Sequence, residues 1–298
     1  MRGSATIIFG EPARPTASGS VTANVEGFNY ISVLHKQLSE LKDTDIIVDF
    51  SRISWIDGHL TASLDTVFRQ SATNSNIIKL SGLQPRLRET LCKNRLLAER
   101  KPDQFNTVMP ITPFSVEAGQ DFSSYAKKYL DRPEMPKMTR SLRRRFFEGV
   151  DELFANAALH SRTNVPIMVG GQFFPRAGKL AFCIADGGEG MHQPVCAKLR
   201  KMLHPEEAIA WAMEPYNTTR QGDIPGGLGS KILREFIELN KGKITVVSNN
   251  GFWGQHRSRI VKRRLANPFP GTVVLLEVNT SDTQSYDLAN APDPHSIW

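Results

Sequence analysis

No apolar run in this chain approaches the roughly 18 residues that suggest a membrane-spanning helix. Its first residues also lack the charged, apolar and small-residue succession of a secretory signal. Both absences lead us to expect a cytoplasmic protein with no membrane segment. Cysteine is scarce, and Cys92, Cys183 and Cys196 are odd in number and widely scattered. They frame neither a disulfide scaffold nor a zinc knuckle, as expected in a reducing compartment. Acidic residues are outnumbered, 30 against 37 lysines and arginines, which leaves a net charge of +7. The excess is clustered at Arg140, Arg143, Arg144 and Arg145, and again at Arg257, Arg259, Lys262, Arg263 and Arg264. A solvated face is the commoner use of such runs. The stretch 257–264 is nevertheless a candidate surface for nucleic acid or another acidic partner.

The 298 residues, 40% of them hydrophobic, suffice for two domains with independent cores. Ala5–Gly10 and Gly19–Val25 read as short strands. Phe28, Ile31, Leu34, Leu38 and Leu41 then fall at helical spacing. Asp45–Phe50 has buried-strand character, and a helix over about 58–71, a strand over 76–80 and a basic helix over about 85–99 follow. Strands alternating with helices predict a compact α/β domain. The segment IIVDFSRISWIDGHLTASL resembles the STAS domain of anti-sigma factor antagonists through Asp49, Ile53 and Ile56-Asp57. Gly58 and His59 stand where that family has serines, so its usual phosphorylation site is missing. Thr61 and Ser63 are substitutes or, more simply, structural residues. The resemblance implies an interaction module over 1–100 that engages a protein partner.

Residues 101–120, with Pro102, Pro110 and Pro113, show no helical or strand period and read as a linker. Residues 281–298 read as a polar tail. Between them, 121–280 carries four motifs in order. From Thr139 to His160 the chain is strongly helical. Phe146, Val150, Leu153 and Ala157 form its apolar stripe, beside a polar row of Glu148, Glu152, Asn156 and His160. Such a row is solvent-facing in many helices. Here Asn156, a poor helix-interior residue, lies among alanines where a neighbour could approach. One asparagine amide suffices for a Mg²⁺ ion that keeps its waters and phosphate oxygens, and Glu152, one turn earlier, could activate a nucleophile.

The run LAFCIA is a buried strand ending in Asp186, whose carboxylate can accept a hydrogen bond from the adenine amine. Gly188 and Gly190 would let the backbone pass close to base and ribose. Gly226, Gly227, Leu228 and Gly229 open a helix and would offer backbone N–H groups to phosphates. They are no Walker loop, since its lysine–hydroxyl pair is missing. The stretch 191–224 becomes a candidate lid, with Thr218, Thr219 and Arg220 near its end. Asn249-Asn250-Gly251 reads as a turn before a last strand over 272–278, and Thr272 could add a hydroxyl beside Asp186 or be a surface threonine.

Glu152 with Asn156, Asp186-x-Gly188-x-Gly190, Gly227-x-Gly229 and Gly271-Thr272 together resemble the GHKL ATPase family of gyrase, MutL, histidine kinases and anti-sigma kinases. The resemblance covers about 139–278. It implies an α+β chain overall, with the STAS-like α/β domain followed by a two-layer sandwich of helices on a mixed sheet, the Bergerat type. It further implies ATP and Mg²⁺ as ligands, Asn156 on the metal, Asp186 on adenine and Glu152 as base. The leading expectation is an anti-sigma-type serine/threonine protein kinase or ATPase joined to a STAS-like module. The alternatives are an ATP-gated switch, a nucleic-acid-associated ATPase or a non-catalytic nucleotide-binding scaffold. A homodimer is compatible with each. A sensor histidine kinase is disfavoured, since no long coiled-coil helix with an acceptor histidine precedes Thr139.

Overall fold

A computed structural model describes residues 2–10, 19–214, 217 and 228–287, with 228–230 as backbone only. The chain is a mixed α/β protein built around two sheets. Strands β1 (Gly3–Ile8), β3 (Thr44–Asp49) and β5 (Ile77–Ser81) pair in parallel in the order β1-β3-β5. The short β2 (Ser20–Val21) and β4 (Trp55–Ile56) pair beside them. Helices α1 (Val25–Ser39) and α2 (Thr61–Ala72) make the crossovers, and α3 (Pro85–Lys93) follows β5. Asn24 caps α1 by accepting from the Gly27 N–H at 2.9 Å.

The second sheet has the order β10-β11-β9-β8-β6 and is antiparallel throughout. Its strands are β6 (Val108–Phe114), β8 (Ile167–Phe174), β9 (Lys179–Asp186), β10 (Lys243–His256) and β11 (Arg259–Asn279). Helices α4 (Gly119–Leu130), α5 (Arg140–His160) and α8 (Leu228–Leu239) cover one face. Two short helices, α6 (His192–Leu199) and α7 (Pro205–Ala212), stand between β9 and α8. The opposite face is covered by α1 and α2, so these two helices are layered between the sheets.

That layering makes the two halves share a core. Phe28 of α1 meets Phe252 and Phe269 of the β10–β11 pair at 6.3 and 6.5 Å between ring centroids. Cys183 and Ala185 of β9 and Met168 of β8 are buried in the same cluster as Leu60, Ala62 and Val67. Hydrogen bonds also cross the junction: Ala266 N–H donates to Asn29 Oδ1 at 2.9 Å, and Lys243 Nζ donates to the Ala23 carbonyl at 2.6 Å. Independent cores, expected from length alone, are therefore not what the chain forms.

Five other expectations change. The second sheet is not the mixed sheet expected, since every neighbouring pair of its strands runs antiparallel. The proline-bearing stretch 101–120 contains β6, an edge strand paired only with β8; an edge tolerates Pro110 and Pro113 because one side needs no ladder donors. Asn249–Gly251 is no turn. It is an irregularity within β10, and the hairpin reverses at Arg257-Ser258. The stretch 191–224 holds α6 and α7, while Thr218, Thr219 and Arg220 lie outside the described residues. The tail contributes β12 (Ser285–Tyr286), which pairs with β7 (Lys137–Met138) and packs Tyr286 on Phe236.

Candidate functional site

Thr139 caps α5, accepting from the Leu142 N–H, and the helix runs 21 residues. Leu142, Phe146, Val150 and Phe154 form its buried stripe at four-residue spacing. The polar row beside the stripe divides. Glu148 points outward and pairs with Arg144 and Arg145 at 3.3 and 3.0 Å. Glu152, Asn156 and His160 instead line a cavity roofed by α6 and α7.

Strand β9 supplies the floor. Its alternation sends Cys183 and Ala185 toward α2, while Ile184 and Asp186 face the cavity. Thr272 of β11 lies directly opposite Asp186 in the ladder and also lines the cavity. Asp186 is only 4% exposed, and its Oδ1 accepts from the Gly188 N–H at 2.9 Å. Burial pushes its carboxyl up to about 7, although backbone N–H groups of Gly188 and Thr272 pull the other way. A carboxyl that titrates near neutrality inside a cavity is characteristic of functional sites.

Five of the residues expected at a site thus meet in one cavity: Glu152, Asn156, Asp186, Gly190 and Thr272. Gly188 has a different neighbour from the one expected. A Cβ there would sit 1.9 Å from the Ser161 carbonyl oxygen, so its bareness serves the close packing of the loop on the end of α5. Glu189 N–H donates to that same carbonyl at 3.0 Å. Because the clash is with backbone, Gly188→Ala should cost about 2–3 kcal/mol, read as a Tm fall of roughly 5 °C or more in a thermal scan. Gly226 and Gly227 lie outside the described residues, and Leu228 and Gly229 form the first turn of α8.

Sequence reasoning missed the residues that hold this loop in place. Ser248 Oγ accepts from the Met191 N–H at 2.8 Å, donates to the Gly271 carbonyl at 3.3 Å and lies 3.0 Å from Thr272 Oγ1. Asn249 adopts a left-handed backbone at φ 51°, and its amide donates to the Glu189 carbonyl at 3.0 Å while accepting from His192 N–H. Gly190, at φ +76°, packs directly on that asparagine. Arg234 lines the cavity with Lys231; it donates to the Met213 carbonyl at 2.7 Å and stacks over Trp253 at 5.4 Å. Val195, Leu233, Ile244, Val274 and Leu276 make an apolar part of the wall, and Glu214 and Asn217 also line it. Among the described residues, no group of three or more His, Cys, Asp or Glu could hold a metal ion.

The first half contributes no open site at the positions of interest. His59 is fully buried, neither ring nitrogen has a hydrogen-bond partner among the described residues, and burial lowers its pKa. Thr61 Oγ1 donates to the Gly58 carbonyl at 2.5 Å, and Ser63 Oγ lies 3.5 Å from Cys183 Sγ. Both hydroxyls are inaccessible to solvent. Burial pushes the Cys183 thiol up to about 12, which leaves it unreactive. Among the described residues no helix is long and apolar enough to cross a membrane.

Compared with models of known protein families and with curated proteins, the chain matches none.

Proposed function

We propose that the cavity binds magnesium-chelated ATP, and that the chain is a regulatory ATPase or serine/threonine protein kinase of the GHKL kind. In this reading residues 121–280 form the nucleotide-binding unit and 1–100 a STAS-like module for a protein partner. One observation carries it: a buried carboxyl at the end of β9 shares a cavity with a carboxylate and an amide one helical turn apart on α5.

The chemistry follows from their types. Ionised Asp186 accepts from the adenine amine, and the apolar wall takes the ring. Asn156 would supply the one protein oxygen that a hydrated Mg²⁺ needs, which fits a site with no carboxylate cluster among the described residues. When bound, the metal neutralises charge on the phosphate oxygens. Lys231, at the start of α8 on the cavity wall, adds a positive charge for those phosphates. Glu152 takes the proton of the attacking hydroxyl or water while the oxygen of that hydroxyl or water bonds to the γ-phosphorus. The bond to the bridging oxygen breaks, and ADP leaves. Thr61 and Ser63 are buried, so neither is the acceptor of a kinase reaction, which this reading assigns to a partner protein.

Glu152→Gln tests the base. The variant should bind ATP as the wild type does and lose turnover by a factor on the order of 10² or more, measured by equilibrium titration and by release of labelled phosphate. Turnover equal to wild type would remove Glu152 from the chemistry.

A further inference from the structure

The β10–β11 hairpin continues past the body of the second sheet and bears a concentration of positive charge that the cavity does not use. No acidic residue occurs between Asn240 and Glu277. His256, Arg257, Arg259, Lys262, Arg263 and Arg264 are all exposed. Lys262 and Arg264 face α7, where Glu207 and Glu206 approach them at 3.0 and 3.3 Å. Arg257, Arg259 and Arg263 have no carboxylate partner among the described residues. Arg259 and Arg263 share the other strand face, spaced at about 6.8 Å for every two residues. The α5 arginines differ: Arg143 pairs with Asp131, and Arg144 and Arg145 pair with Glu148. The hairpin is therefore the less neutralised of the two basic surfaces.

The hairpin is also rigidly held. Phe252 packs on Phe28 from one side, and Arg234 covers Trp253 from the other. Its aromatic residues Phe252, Trp253 and Phe269 are all buried, which leaves none for stacking on unpaired bases. Beyond those packed residues the exposed reversal at Arg257-Ser258 and its flanking arginines form a ribbon tip, which the major groove of B-form DNA admits. The deep, narrow groove of duplex RNA does not.

We infer that the β10–β11 hairpin is a double-stranded DNA-binding arm that contacts phosphates through Arg257, Arg259 and Arg263. Binding is driven by charge and is indifferent to sequence, because contacts to phosphates carry no base information. The inference is independent of what occupies the cavity.

The test is fluorescence anisotropy of a labelled mixed-sequence DNA duplex with the full-length chain across a salt series. Wild type should bind with a steep salt slope. The triple variant Arg257→Ala/Arg259→Ala/Arg263→Ala should flatten that slope by about 3 and lose affinity on the order of 100-fold at low salt. Its Tm should be unchanged, since these side chains are exposed. Arg140→Ala/Arg143→Ala/Arg144→Ala removes the same charge elsewhere and should leave binding within about threefold of wild type. Three results overturn the inference: no binding of the duplex at low salt, equal losses in the two triple variants, or tighter binding of anionic lipid vesicles or polyglutamate than of DNA at matched salt.

Discussion

Asp186→Asn should unfold at a higher temperature than wild type at pH 8, and the two proteins should converge near pH 4. In the fold, burial raises the Asp186 carboxyl from its ordinary 3.8 to about 7. A raised acid contributes its full stability while neutral, below about pH 4, and that stability is lost as pH climbs toward 7. At about 1.4 kcal/mol for each tenfold change in acidity, ionising the buried group costs roughly 4 kcal/mol at pH 8. The amide of Asp186→Asn mimics the neutral acid and escapes that cost, while its carbonyl can still accept from Gly188 N–H. A gain of about 2–4 kcal/mol is expected, seen as a Tm rise of roughly 5 °C or more. The same substitution should damage recognition. Wild type should prefer ATP over GTP by about 10- to 100-fold, since an ionised acceptor repels the guanine carbonyl. A side-chain amide can rotate to satisfy either base, so the preference should collapse. Wild-type ATP affinity should itself fall as pH drops below 7 and Asp186 protonates. Thermal scans at the two pH values and competitive titration of the two nucleotides read both halves. A variant less stable than wild type at pH 8 would refute the electrostatic account.

Stability lost at a buried acid also explains which parts of the site the sequence made legible. Asp186 stood out because a carboxylate ends an apolar strand, and β-alternation alone fixes that it shares a face with Ile184. Glu152 and Asn156 were legible for a similar reason, since four-residue spacing on a helix sets them in one row. The spacing could not say where the row leaves the cavity, and Glu148 lies on the far side of that boundary. Ser248, Asn249 and Arg234 were beyond reach because their partners are distant in sequence: Asn249 holds a carbonyl 60 residues away. Its neighbours Asn250 and Gly251 read as turn formers, yet pairing with β11 overrides that local preference and absorbs it as an irregularity. The prolines of β6 misled in the same way, because an edge strand and a linker look alike until the partner is known. Sequence alone suggests freedom near a ligand for Gly188, whereas its requirement comes from a carbonyl on another element.

Phe28→Ala should weaken the whole chain and not only its first half. The ring is fully buried between α1 and the β10–β11 pair, so its removal opens a cavity in the core that both halves share. Large aromatic truncations of this kind cost about 3–5 kcal/mol, a Tm fall on the order of 10 °C for a chain of this size. The location determines how that loss is distributed. If α1 and α2 were attached to the second sheet by a few surface contacts, the first half would melt early and the second half would keep its own midpoint. Instead β9 presents Cys183 and Ala185 to α2 and Ile184 and Asp186 to the cavity, so one strand is packed by both halves at once. Unfolding α1 and α2 would expose the back of that strand and remove the support of Asp186, which faces the cavity. One transition is therefore expected in both proteins, with far-ultraviolet dichroism and tryptophan fluorescence coinciding, and with ATP raising the same midpoint in each. Two resolved transitions, of which Phe28→Ala moves only the first, would show that the layers are energetically separate. The same coupling gives the first half a physical route to the cavity: strain on α2 would reach β9, and through it Asp186, without any contact to the cavity itself.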